Sequence, residues 1–260
     1  MSQTGNYLEA APAGRSAGAQ AAALAEVALL LAAAHVACRT FKQFTALGRA
    51  ESAAHLNFSP GWTMALFAFA LLVILRRDLA AYGLILKTWP QELKQSLALA
   101  SSRTRIADAW WWTAIVVWFV ISLVVGLINR PFGELVGLMA WQLFATAFGE
   151  EVFFRGYMQT RLNEVFPRQW SVRGIRFGAG LFFTALLFGL LHAFNTVDYF
   201  NGRFTFAWTL AFSTTLTGLL FGLLREATGS IVPGIVVHFL NNMLWFTLLP
   251  ALTRWLLSAP

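Results

Sequence analysis

Charge is what this chain of 260 residues has least of. Only 12% of its positions are Asp, Glu, Lys or Arg, against about 25% in soluble domains. With a mean hydropathy of +0.61, that scarcity excludes an ordinary water-soluble fold and points to a protein held in a membrane. Cysteine is almost absent. The single Cys38 permits no intrachain disulfide and no cysteine-based metal site, and it reads as a small buried residue. Acids are scarcer than bases, 12 against 19. On a soluble chain an excess of +7 would raise nucleic acid as a partner. Here Lys and Arg fall in short stretches between apolar runs, the pattern of cytoplasmic membrane loops, so nucleic acid is not expected. The sequence also lacks an internal repeat, a helical His-Glu-x-x-His zinc signature and a recognisable nucleophile elbow. Residues 1–20 lack the basic start of a signal peptide and read as a disordered tail.

Apolar sequence is what the chain has in abundance: 58% hydrophobic residues, with 24 Phe and 11 Trp suited to lipid-facing surfaces and interfacial belts. A bilayer core takes about 20 residues of helix. Runs at 21–38, 60–75, 109–128, 132–162, 177–196, 204–224 and 231–249 predict seven spans. Pro250 should break the last, leaving 252–257 as an eighth half-helix. The expected fold is therefore all-α, a polytopic bundle of seven to eight transmembrane helices forming one domain over 21–260. Residues 39–59 read as a polar loop, and 79–106 as one or two interfacial amphipathic helices. Basic residues concentrated in 76–108 and 161–176 predict that side as cytoplasmic. Arg39, Lys42 and Arg49 then fall on the opposite side, against the rule. A multi-pass protein of a bacterial inner membrane, with membrane lipids as partners, is the expected setting.

Within this apolar background three stretches carry chemistry. Gly149 to Gly156 reads Gly-Glu-Glu-Val-Phe-Phe-Arg-Gly, Phe188 to His192 reads Phe-Gly-Leu-Leu-His, and His238 to Asn242 reads His-Phe-Leu-Asn-Asn. A charge at bilayer depth costs at least about 2.5–3.5 kcal/mol, so such groups face a bundle interior and mark function. On a helix Glu151 and Arg155 are i and i+4 in the favourable order and read as an ion pair. Glu150 is rotated from Glu151 by roughly 100°, so Arg155 cannot serve both acids. An acid without a full partner in a partly dry site suits a general base. His238 and Asn242 share one helix face. His192 alone would more often be a satisfied core residue, and Gly218-x-x-x-Gly222 is explained by close helix packing. Jointly, an acid, two imidazoles and an amide fit hydrolysis of an amide bond by water, with donors for the developing oxyanion. Zinc held by Glu150, His192 and His238, with water as the fourth ligand, is the competing chemistry.

The three motifs, Glu150-Glu151-x-x-x-Arg155, Phe188-x-x-x-His192 and His238-x-x-x-Asn242, occur in this order on successive predicted helices. The set resembles the CAAX prenyl protease and bacteriocin-processing family of polytopic intramembrane proteases, over residues 130–250. The resemblance implies that Glu150 and His192 activate water and that His238 and Asn242 hold the oxyanion. It implies supporting roles for Glu151, Arg155 and Phe188. It also implies a membrane-associated peptide or protein as substrate, lipid-embedded, prenylated or cut near its C-terminus. No cofactor is expected, with zinc as the lesser alternative. Two other classes stay open: a non-catalytic scaffold or immunity protein, and a small proton-coupled transporter. The motifs are expected to converge on one polar cavity that opens toward the 161–176 loop.

Overall fold

The computed structural model describes residues 15–54, 56–84, 94, 98 and 108–258. Residues 1–14 of the expected tail, and most of the interfacial helices expected in 79–106, lie outside the described residues. Helix α1 spans Ala17–Phe44, α2 Ala46–Ala53, α3 Phe58–Ile74 and α4 Asp108–Asn129. A continuous rod over 132–163, here α5, follows. Then come α6 (Ala179–Ala193), α7 (Trp208–Thr228) and a second long rod, α8, over 232–258. Among the described residues the fold is all-helical apart from two small antiparallel hairpins. One pairs β1 (Trp170–Val172) with β2 (Ile175–Phe177), the other β3 (Val197–Asp198) with β4 (Arg203–Phe204). The first turns at Arg173 and Gly174, both at positive φ, the backbone a tight two-residue hairpin requires.

Among the described residues, four helices are long and apolar enough to cross a membrane: Ala17–Phe44, Ala109–Asn129, Ala179–Thr196 and Val232–Leu257. That is fewer than the seven to eight expected. Helix α3 is short at 17 residues, α5 carries the charged motif, and Ser213, Thr214, Thr215 and Thr217 interrupt the apolar surface of α7. Large exposed apolar side chains cover much of the surface; Val116, Val120, Val124 and Ile128 of α4 are examples. Such a surface is stable only where lipid replaces water.

The rods differ from the predicted ones in three ways. First, α1 starts four residues early and continues through Arg39 and Lys42 to Phe44, where a loop was expected. The Thr45 hydroxyl closes it and caps α2, accepting the Gly48 N–H at 3.0 Å. Second, α5 is not uniformly α-helical. It opens into wide i→i+5 turns over Trp141–Ala147 and again over Glu151–Gln159, a rare geometry that concentrates at functional sites. Third, Pro250 does not break α8. Wide turns over Leu244–Leu248 precede it, and the carbonyl of Phe246, which loses its helical donor to a proline four residues on, accepts from Arg130 Nη2 at 3.1 Å.

Helix α5 is the axis of the bundle. Gly61 on α3 and Gly149 on α5 meet backbone to backbone, with no room for a Cβ on either. The core of buried Val27, Leu30, Leu31, Met64, Phe153, Phe154 and Met158 lies between α1, α3 and α5. At one end of the molecule a charged network closes the bundle. Glu26 accepts from Tyr157 Oη at 2.6 Å and from Arg161 Nε at 2.9 Å. Glu164 accepts from Tyr82 Oη at 2.8 Å and pairs with Arg77 at 3.4 Å. Burial first, and then the Glu164 carboxylate, raise the Tyr82 phenol above its ordinary pKa, so it stays a donor.

Candidate active site

The first motif is deeply enclosed. Every residue from Glu151 to Gln159 is buried, so this stretch presents no face to lipid or water. Arg155, fully buried, donates from Nη1 to Glu151 Oε1 at 3.0 Å, which is the expected ion pair. Its Nη2 donates to the Gly218 carbonyl at 3.2 Å. The ring of Phe188 lies 4.4 Å from the guanidinium carbon, and that of Phe221 at 5.2 Å. The glycine pair on α7 thus does more than allow packing. Gly218 brings its carbonyl to Arg155, and that of Gly222 accepts from Gln159 Nε2 at 3.0 Å.

Glu151 serves a second partner that the spacing could not reveal. His238 Nδ1 donates to Glu151 Oε1 at 3.0 Å, and its other nitrogen, Nε2, faces Glu150 Oε2 at 3.7 Å. The imidazole is held between the two adjacent acids and stacked on Phe221, with centroids 4.7 Å apart and planes at 22°. Glu150 Oε2 is buried and has no hydrogen-bond partner among the described residues. Among the described residues no Lys or Arg is paired to Glu150, as the rotation between the two acids requires.

His192 sits near the C-terminal end of α6. Its Nδ1 meets the carbonyl of Phe188 at 2.8 Å; a carbonyl only accepts, so Nδ1 carries the hydrogen and Nε2 is left as an acceptor. Asn242, one turn beyond His238, donates from Nδ2 to Gln142 Oε1 at 2.8 Å. Gln142 was not anticipated. It is wholly buried on α5, and its own Nε2 has no partner among the described residues. An amide two turns before Glu150 in an otherwise apolar run was the available signal.

Glu150, His192, His238, Asn242 and Gln142 line one cavity of about 550 Å³, and Phe188 forms part of its wall. All four residues read as catalytic therefore share one enclosure. The remaining motif residues, Glu151 and Arg155, lie behind its lining. The cavity does not open toward the 161–176 loop, from which it takes no lining residue. That loop meets α1 at Glu26, whereas the cavity takes Arg39 and Lys42 from the same helix. At about 1.5 Å per residue these lie roughly 20 Å further along, at the opposite end of the bundle. Cys38, buried and free as expected, also belongs to the wall.

His238 Nδ1 is committed to Glu151 and His192 Nδ1 to the Phe188 carbonyl, and among the described residues no three His, Cys, Asp or Glu side chains are grouped as metal ligands. What the arrangement can do is general-base chemistry. It combines a buried carboxylate with a free oxygen, an acceptor nitrogen, and imidazole and amide donors in one partly dry space.

A family model described as type II CAAX prenyl endopeptidase Rce1-like matches residues 110–244, just over half of the chain, with all three motifs inside the match. No curated protein and no solved structure matches the chain.

Proposed function

The chain belongs to the Rce1-like family of type II CAAX prenyl endopeptidases, and from that premise we propose that it hydrolyses a peptide bond at the membrane with water activated by Glu150. The observation that carries the proposal is the unpartnered Glu150 Oε2, buried at the cavity wall opposite His238 Nε2 at 3.7 Å. The water donates one hydrogen toward Glu150 and the other toward the acceptor Nε2 of His192, and its oxygen attacks the scissile carbonyl carbon. The C–O bond forms as the proton passes to Glu150, and negative charge moves onto the carbonyl oxygen. Two carboxylates, one at each ring nitrogen, suit an imidazole that donates from both. Once Glu150 has taken the proton it no longer attracts Nε2–H, which turns to the new oxyanion. Asn242 donates one amide hydrogen to Gln142 and keeps the other for the same oxygen. Glu150 then delivers the proton to the leaving amine as the C–N bond breaks. Each donor aimed at the oxyanion is worth about 10²–10³ in rate. No step passes through a metal.

The substrate reading follows from the cavity's surroundings. An apolar groove of about 570 Å³ shares Leu31, His35, Arg39 and Leu191 with the cavity. A lipid-modified or membrane-embedded substrate can lie along it and reach Glu150 with its polar backbone. Six arginines, Arg76, Arg77, Arg161, Arg168, Arg173 and Arg176, mark the end away from the cavity. By the positive-inside rule that end is cytoplasmic, and the cavity opens to the other side of the membrane.

The test is a comparison of peptide C-termini, by mass spectrometry, in membranes containing the wild-type protein, the Glu150→Gln variant or neither. New C-termini that appear with wild type alone support the proposal. Identical sets with wild type and Glu150→Gln overturn it and favour a non-catalytic scaffold.

A further inference from the structure

Three polar atoms of the cavity wall have nothing to bond. Asn57, Trp141 and Gln142 all line the cavity. Asn57 Oδ1, Trp141 Nε1 and Gln142 Nε2 are buried and have no hydrogen-bond partner among the described residues. The large majority of buried side-chain polar atoms find a partner, so three on one wall call for one. Asn57 shows how such an atom is kept free. It is the N-cap of α3, where an asparagine oxygen ordinarily accepts from the second or third helical N–H. It makes no such bond here. The second N–H, that of Ser59, goes to Glu51 Oε2 at 3.1 Å, and the third residue, Pro60, has none to give. On α5, Trp141 and Gln142 open the first stretch of wide turns. The Trp141 ring leans on Phe246, with centroids 5.4 Å apart, and Gln142 spends its oxygen on Asn242 at 2.8 Å. Both side chains are held while their N–H groups stay unspent. Gly61 on α3 packs against the Ala145 carbonyl. Helices α3 and α5 run the same way, since Tyr82, beyond α3, meets Tyr157 further along α5. One turn earlier on each helix, Asn57 therefore comes level with Trp141.

We propose that this wall binds the main chain of the substrate, with Trp141 and Gln142 donating to its carbonyls and Asn57 accepting one of its N–H groups, beside the bond that Glu150 attacks. This rests on the hydrolase reading and adds to it what the enzyme recognises. Two unspent donors and an unspent acceptor complement a peptide, which carries a donor and an acceptor at each residue other than proline. They complement it only when it is extended. Inside a helix the backbone N–H and C=O groups are bonded to one another, and a membrane-embedded helix satisfies them all within the segment. A segment must therefore unwind at the cut before the wall can hold it. Selection then falls on the ease of unwinding more than on any one side chain. A helical run without glycine or proline is a poor substrate whatever its other residues.

The test starts from pools of lipid-anchored hexapeptides, from which one cleaved sequence is taken. That sequence is remade with each backbone N–H in turn replaced by an ester oxygen. In wild type at least one ester away from the scissile bond should raise KM about two- to tenfold, the worth of one neutral hydrogen bond, with kcat unchanged. In Asn57→Leu the same ester should cost nothing further, and Asn57→Asp, which keeps an acceptor, should respond as wild type does. Trp141→Phe keeps the ring and loses the N–H. Its KM should rise by a similar factor, with kcat unchanged and no fall in melting temperature. A peptide with no sensitive ester, an ester loss undiminished in Asn57→Leu, or a wild-type KM in Trp141→Phe overturns the proposal. Binding is read separately, as the shift in melting temperature caused by N-acetyl-trileucine methylamide. If no pool is cleaved, the hydrolase reading fails while the wall is still decided. A shift at least halved in both Trp141→Phe and Asn57→Leu supports it; equal shifts in all three proteins refute it.

Discussion

Replacing Glu150 and Glu151 by glutamine, one at a time, separates catalysis from architecture at two adjacent residues. Glu150 Oε2 has no hydrogen-bond partner among the described residues, and its contact with His238 is long, at 3.7 Å. The Glu150→Gln side chain keeps the volume, removes a charge that no arginine or lysine holds, and cannot take a proton from water. Turnover should fall by at least the 10²–10⁴-fold typical of a lost general base. The melting temperature should stay within roughly 2–4 °C of wild type, the shift produced by about 1 kcal/mol in a chain of this size.

Glu151→Gln acts on a different object. Glu151 Oε1 faces Arg155 Nη1 and His238 Nδ1, each at 3.0 Å. Without that carboxylate the fully buried guanidinium keeps, among the described residues, the Gly218 carbonyl, the aromatic faces around it and the field of Glu150. Those contacts exist in wild type as well, so they offset nothing. Stranding one partner of a buried pair costs about 3–5 kcal/mol, which at about 2–4 °C per kcal/mol lowers the melting temperature by roughly 6–20 °C. His238 loses its orienting acceptor in the same step, so turnover falls too. Both variants and wild type are purified in detergent, then melted by tryptophan fluorescence and assayed on the peptide that wild type cleaves. A Glu150→Gln protein that retains turnover beside a Glu151→Gln protein that is stable but inactive would show the roles to be reversed. Normal cleavage by both would end the glutamate-dependent reading.

Three further outcomes are expected. Exhaustive chelation should leave peptide cleavage intact, and activity lost to the chelator and restored by zinc would move Glu150, His192 and His238 to ligand roles. Gly234→Ala should inactivate, because its Cβ would stand 2.7 Å from Glu151 Oε2 and the carboxylate is pinned by Arg155 and His238. A Gly234→Ala enzyme with wild-type kcat would show that the glutamate can move freely. In a Cys38→Ala background, Asn195→Cys at the cavity wall should react with a membrane-impermeant maleimide on intact cells, and Ser171→Cys only after permeabilisation. The reverse labelling would put the cavity mouth on the cytoplasmic side.

How far the sequence could be read follows from what composition records. Apolar runs and buried charges are conspicuous against one another, so the helical class, the three motifs and the Glu151–Arg155 pair were legible. Arg39 and Lys42 were misread as loop residues because a local window sees only their charge, not the polar cavity that lets a helix carry them. Gln142 and Phe221 acquire meaning only from partners on another helix, Asn242 and His238; an amide in an apolar run hints at the first, and no local pattern marks the second. The wide turns of α5 matter most. An amphipathic reading assumes 3.6 residues per turn and one face turned outward. From Glu151 to Gln159 neither assumption holds, because the turns are i→i+5 and all nine residues are buried. Side chains there project into every neighbouring helix. A single carboxylate, Glu151, can thus meet Arg155 on its own helix and His238 on α8, and the second of those contacts orients the imidazole on which the proposed chemistry depends.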